Sequence, residues 1–212
     1  MRVPGRPRVT LPDDPLSSPR AERTIMGMPH AAERWTADMV RALPDDGNRY
    51  ELVSGQLLVT PAPAPRHQAA AAAFYELLAP FLRDHQLGTI YWSPADLSLG
   101  EDEVLQPDLF VFRTPGGKPP RRWDEITSLL LVIEILSPGT ERHDRTVKRR
   151  RYQSAGVPEY WIVDLDARLV ERWRPGDERP EVLADRLDWR PDAEGDTLEL
   201  ELPALYRKIL GD

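Results

Sequence analysis

Two acids stand where acids are costly. Glu134 interrupts the run Leu129 to Leu136, read L-L-L-V-I-E-I-L, and Asp108 heads the apolar segment L-F-V-F. A short unbroken run of Leu, Val and Ile reads as a strand buried on both faces. An ionised carboxylate there is penalised by several kcal/mol (roughly) unless a cation or hydrogen bonds satisfy it. One answer is a structural ion pair with an Arg or Lys. The other is a functional site, because perturbed acids cluster at such sites.

A lysine on the next element bears on that choice. Ser137-Pro138-Gly139 ends the strand and Thr140 can cap a helix from Glu141 to Ala155, with Gly156 as its left-handed terminator and Pro158 beyond. Asp144, Lys148 and Tyr152 repeat every fourth residue and share one face of this helix, with Ala155 continuing it. Arg149 and Arg150 are expected to face solvent or phosphates. So short a strand–helix connection packs the helix beside the sheet. Two carboxylates and a lysine suit metal-assisted phosphodiester hydrolysis. Carboxylate oxygens hold a hard Mg2+ or Mn2+, the ion lowers the pKa of a bound water, and the lysine orients that water or offsets developing charge. The same residue types also form ordinary salt bridges.

The elements that must position these groups follow from pattern. Thr36 can cap a short helix through Leu43, with Asp38 in its first turn. Y-E-L-V and Q-L-L-V-T, split by Ser54-Gly55, read as a β-hairpin. By pattern alone, Glu51 in its first strand is a solvent-facing charge. An alanine-rich run from Arg66 is helical by propensity, with His67 at its start. Its apolar face is expected at Ala72, Tyr75, Leu78, Ala79 and Leu82, with a kink or break at Pro80 and a stop at Gly88. Strands are expected at 89–92, 96–99 and 106–112. E-Y-W-I-V-D is a buried strand with Tyr160 and Ile162 on one face and Trp161 and Val163 on the other, and 169–173 is its hairpin partner. Beyond Pro175 the pattern weakens until a last strand at 198–202 and a terminal helix at 205–210.

Composition sets outer bounds. The 212 residues are 41% hydrophobic and 30% charged, enough for one domain with a real core. Residues 1–32 are rich in Pro and Arg without hydrophobic period and are expected to be a disordered arm, leaving 33–212 as a single domain. There is no cysteine, which excludes disulfides, thiolate metal sites and cysteine nucleophiles. No apolar run reaches the roughly 18 to 20 residues of a membrane span, and no secretory signal pattern is present. A cytoplasmic location is therefore expected. The formal net charge of −7 gives no bulk support for nucleic-acid binding, so such contacts must be local.

Five ordered motifs carry a resemblance: Y-E-L-V-S-G, Q-P-D-L, V-I-E-I-L-S-P, H-D-R-T-V-K-R-R-R-Y and A-G-V-P-E-Y-W-I-V-D. Together they resemble the Uma-two family of the PD-(D/E)XK restriction-endonuclease-like superfamily, over about Tyr50 to Trp173. The resemblance implies a restriction-endonuclease-like α/β core, a central mixed sheet flanked by helices, with the site at its strand ends. It matches Asp108 to the motif aspartate, Glu134 to the second acid and Glu51 to the acid of the early hairpin. Leu136 stands where the superfamily has its motif lysine, and the resemblance moves that role to Lys148. The implied catalytic set is Asp108, Glu134, Lys148 and Glu51, with Asp108 and Glu134 holding Mg2+ or Mn2+. His67, Asp144, Tyr152 and Arg150 support the site or touch substrate. The implied function is a metal-dependent nuclease acting on nucleic acid, DNA before RNA, as a possible homodimer. The alternative is a non-catalytic module that binds nucleic acid or protein with the same fold.

Overall fold

The computed structural model describes residues 34–212, and the arm expected over residues 1–32 lies outside them. Helix α1 (Ala37–Arg41) starts where the sequence sets it, with the Thr36 hydroxyl accepting the Met39 N–H at 3.3 Å. Strands β1 (Arg49–Val53) and β2 (Gln56–Thr60) pair antiparallel across Ser54 and Gly55. Both turn residues have positive φ, at 52° and 78°, which matches the right-handed twist of the flanking strands.

Helix α2 (Pro65–Asp84) runs through Pro80 without a break. Glu76, whose carbonyl loses its partner to Pro80, is exposed, so water can serve it. The buried face also differs from expectation: His67, Ala70, Phe74, Leu78 and Phe81 point inward, while Ala72 and Tyr75 are exposed. A run of alanines does not choose a face. Phe74 and Phe81 choose it, with ring centroids 6.5 Å from Trp161 and 6.2 Å from Trp189 respectively. The helix ends before Gly88. Gln86 takes the left-handed conformation, at φ 54°, while Gly88 passes so close to β4 that a Cβ would sit 2.2 Å from the Phe112 carbonyl oxygen.

The central sheet has six strands: β3 (Thr89–Trp92), β4 (Leu109–Phe112), β5 (Leu129–Ile135), β6 (Glu159–Asp164), β7 (Leu169–Trp173) and β8 (Glu181–Leu183), in that order. Only β5 and β6 run parallel, so the sheet is mixed. The segment 96–99 is no strand; it makes one bridge, Leu97 to Leu105. Leu109, Val111, Leu131, Ile133, Trp161 and Val163 face α2 and the terminal helix α5 (Leu202–Leu210). Phe110, Phe112, Val132, Tyr160 and Ile162 face the other way, toward Tyr152. Each buried aliphatic neighbour of Glu134 contributes roughly 1.5–3 kcal/mol. Several such residues outweigh the penalty of one acid, so the strand forms around it.

The stretch beyond Pro175 is more structured than its pattern suggests. It holds β8, then a hairpin of β9 (Arg186–Trp189) and β10 (Leu198–Glu201). Trp189 is buried against Trp161 at a centroid distance of 6.0 Å, a contact distant in sequence. No helix among the described residues is long and apolar enough to cross a membrane.

Candidate active site

Strand β4 begins one residue after Asp108, and the register pairs Leu109 with Ile133 on β5. One step further, Asp108 stands opposite Glu134, and opposite residues of an antiparallel pair share a face. The Ile135 N–H donates to Asp108 Oδ2 at 2.8 Å, which ties the two strand ends together.

The following helix is not uniform. It comprises α3 (Glu141–His143), a π turn over Asp144–Lys148, and α4 (Arg149–Ser154). Residues four apart on a regular α-helix drift by about 40° per step. The wider π turn offsets part of that drift, and such turns recur at functional sites. Asp144, Lys148 and Tyr152 are consequently all buried toward the sheet.

Lys148 lies at the centre of the acids. Its Nζ is 2.9 Å from Glu51 Oε2, 3.1 Å from Glu134 Oε1 and 3.4 Å from Asp144 Oδ1. The Tyr152 hydroxyl donates to Glu134 Oε1 at 3.4 Å. Glu51 is not solvent-facing: it is 1% exposed, and its Oε1 accepts the Gln106 N–H at 2.8 Å. The hairpin is pinned over the site by the Leu52–Val104 bridge, a long-range contact that a strand pattern does not encode.

Asp108 has its own partners. Arg49 Nη1 donates to Oδ1 at 2.6 Å, and His67 Nε2 donates to Oδ2 at 2.9 Å. Burial pushes the Asp108 carboxyl up, but the His67 hydrogen bond and the Arg49 charge outweigh it and hold the group well below the usual carboxylate range. Glu134 goes the other way. Burial raises it well above that range; Lys148 opposes the rise, while Asp108, Asp144 and Glu51 add to it. Burial likewise raises Asp144, against the pull of Lys148. Burial favours a neutral Lys148, yet Glu134, Glu51 and Asp144 together hold it firmly protonated.

Two openings reach this cluster. A cavity of about 250 Å³ is lined by Arg49, His67 and Asp108. A smaller one, about 100 Å³, touches Glu51 and Lys148 between β2 and Thr140. Arg150 is exposed on the outer side of the helix. Arg149 is not free as expected; its guanidinium lies 4.5 Å over the Trp173 ring. Arg49 and Gln106 escaped the sequence reading. The demand of Asp108 for a cation was the available signal, but it does not say which of 28 Lys and Arg residues answers it.

The donor set suits a hard dication in chemistry and in charge. All the acids offer oxygen, and among the described residues four buried acids (Glu51, Asp108, Glu134, Asp144) meet Lys148, Arg49 and His67. Glu51 Oε2 and Asp144 Oδ1 are buried and meet the Lys148 ammonium at 2.9 and 3.4 Å without a well-angled hydrogen bond. Among the described residues, no three His, Asp or Glu side chains converge as a ready ligand cage. Mg2+ does not need one; it usually takes one or two carboxylates and keeps several waters.

One consequence is testable on stability alone. Asp108→Asn leaves the half-buried Arg49 without its carboxylate, and hydrogen bonds to charged groups are worth about 1.5–3 kcal/mol. Urea denaturation at pH 7 is expected to show a loss of that size. The Asp108 pKa is depressed in the folded chain, so its contribution is present above the unfolded carboxylate range and fades as pH falls. The gap between variant and wild type should therefore narrow on acidification.

Comparison with known proteins agrees with this architecture. A structure from Anabaena variabilis ATCC 29413, described as a "putative nuclease belonging to DUF820", matches with a TM-score of 0.69 at 21% identity, over 82% of this chain and 99% of that one. No curated protein matches. The model of the Uma2 family, described as "Putative restriction endonuclease", covers residues 37–204, and the chain belongs to that family.

Proposed function

We propose that the chain is a metal-dependent nuclease that hydrolyses phosphodiester bonds of nucleic acid, DNA before RNA, with Asp108 and Glu134 holding Mg2+ or Mn2+. The observation that supports this most is the convergence of three buried acids, Glu51, Glu134 and Asp144, on the single Lys148 ammonium, more than a structural ion pair needs. When bound, the ion polarises a phosphoryl oxygen and lowers the pKa of a coordinated water. Arg49 and His67 fix the orientation of the Asp108 carboxylate. Lys148, steadied by Glu51 and Asp144, sets a positive charge beside Glu134 to orient water or offset developing charge. A homodimer and a cytoplasmic location belong to the same reading, and sedimentation of the full chain tests the first.

A non-catalytic binding module has one observation in its favour. Both Asp108 oxygens are already engaged by protein donors. Incubation with single-stranded and duplex DNA and with RNA, in Mg2+ or Mn2+ and with Glu134→Ala as control, separates the two. Wild-type cleavage lost in the variant supports the nuclease. No cleavage, together with no calorimetric binding of millimolar metal in the presence of DNA, supports the module.

Arg150 tests the substrate side. It is exposed, so Arg150→Met is expected to weaken substrate binding and reduce the salt slope by about 1 while sparing turnover at saturation. Cleavage measured over a range of salt concentrations reads both effects.

A further inference from the structure

We infer that the nucleic acid taken by this site is an unpaired strand, one base of which stacks on Trp92. This rests on the nuclease reading and adds the form of the substrate. Trp92 ends the edge strand β3 and is 54% exposed, a large apolar side chain left in water. Its ring is braced edge-on by Tyr75 of α2, at a centroid distance of 5.0 Å and an interplanar angle of 78°. An edge-on neighbour steadies a ring without stacking over it.

Position links this platform to the site. Trp92 pairs with Leu109, the residue after Asp108, and the Ser93 N–H donates to the Asp108 carbonyl at 3.2 Å. Trp92 also forms a wall of two cavities. One, about 250 Å³, holds Arg49, His67 and Asp108; the other, about 330 Å³, holds Tyr75. Gln68 lines both and offers a donor and an acceptor to a base edge. Alternation sets Trp92, opposite Leu109, and Asp108 on different faces of the sheet, but both line the 250 Å³ cavity at its edge, so a strand entering that cavity passes both.

The chemistry selects the occupant. An exposed indole beside a phosphodiester site calls for a flat π partner. A duplex keeps its bases stacked on one another, whereas an unpaired strand can offer a base face.

The test uses the full chain carrying Glu134→Gln, so that the strand stays intact, with a fluorescein-labelled 15-nucleotide oligo(dT) and a duplex of equal length read by anisotropy. The single strand is expected to bind more tightly than the duplex. Adding Trp92→Ala should weaken strand binding by roughly 5- to 150-fold, the effect of losing one stacked base, and leave duplex binding unchanged. Trp92→Phe should recover most of the loss, which separates stacking from misfolding. Equal affinity for strand and duplex, or no effect of Trp92→Ala on the strand, overturns the inference. So does a change of oligomeric state in Trp92→Ala with strand binding intact, which would make the patch a contact between copies. Cleavage by the otherwise wild-type chain keeps the two readings apart. Cleavage with a neutral Trp92→Ala removes the platform and leaves the nuclease; Trp92-dependent binding without cleavage removes the nuclease and supports the platform.

Discussion

Glu134→Gln is expected to abolish metal-dependent cleavage while the melting temperature stays equal or rises. The side chain keeps its shape and loses its charge. Removing one charged group at a reacting centre typically lowers turnover by about 100-fold or more, and calorimetry should show metal binding lost as well. Stability responds differently. Burial and three neighbouring acids already push the Glu134 carboxyl up, so its ionised form is the strained one. Lys148 keeps Glu51 and Asp144 as partners after the substitution. A gain of about 1 kcal/mol would raise the midpoint by roughly 2–4 °C in a chain of this size. The pH dependence has a definite sign. A group whose pKa is raised on folding gives stability that is lost as pH rises through the folded value. The variant lacks that loss, so its advantage should grow from pH 5 to pH 8. A drop of many degrees would instead show Glu134 to be one half of a structural ion pair with Lys148.

Glu134 and Asp108 stood out in the sequence because each conflicts with its apolar surroundings, and local conflict is what a chain can display about itself. The buried strands around them were legible for the same reason, as were the Thr36 and Gly156 helix ends, where the cap residue is local. Glu51 was not. Its alternation with Tyr50 and Leu52 is that of a half-exposed strand, and only the docking of β1 against Val104 buries it. Arg49 was hidden similarly, at the start of a strand where charged residues are ordinary, whereas His67, at a helix start, was legible as a supporting residue without its partner Asp108. The face of α2 was misread because alanines fit either side and the deciding aromatics, Trp161 and Trp189, lie far along the chain. The π turn has no local signature at all. It matters nonetheless, because it sits where Lys148 must reach back across the sheet to the place that Leu136 leaves apolar.

Lys148→Met should be the most disruptive single change in the site, for a reason that the helix period alone did not contain. The period set Lys148 toward the sheet and implied one carboxylate partner; the structure gives it three, and the lysine is 1% exposed. Breaking a buried ionic cluster by removing one member typically destabilises by about 3–5 kcal/mol. At roughly 2–4 °C per kcal/mol, the midpoint should fall by about 6–20 °C. Glu134 and Asp144, already raised by burial, lose the charge that restrained them and rise further. The folded variant then binds more protons than the unfolded chain, so the deficit should be largest near pH 8 and shrink toward pH 5. Adding Glu51→Gln removes one of the stranded charges and should restore part of the lost stability, by the 0.5–3 kcal/mol (roughly) typical of contacting pairs. Activity must be read below the lowered midpoint, where the variant is folded. There, the proposed nuclease should lose turnover while calorimetric metal binding survives, because in that proposal the lysine acts on water and developing charge and Asp108 and Glu134 hold the ion. If metal binding disappears together with turnover even though the fold is intact, Lys148 serves to set the carboxylates in place. If turnover survives, the lysine is a structural pin, and with Leu136 at the motif position hydrolysis proceeds without a lysine beside Glu134.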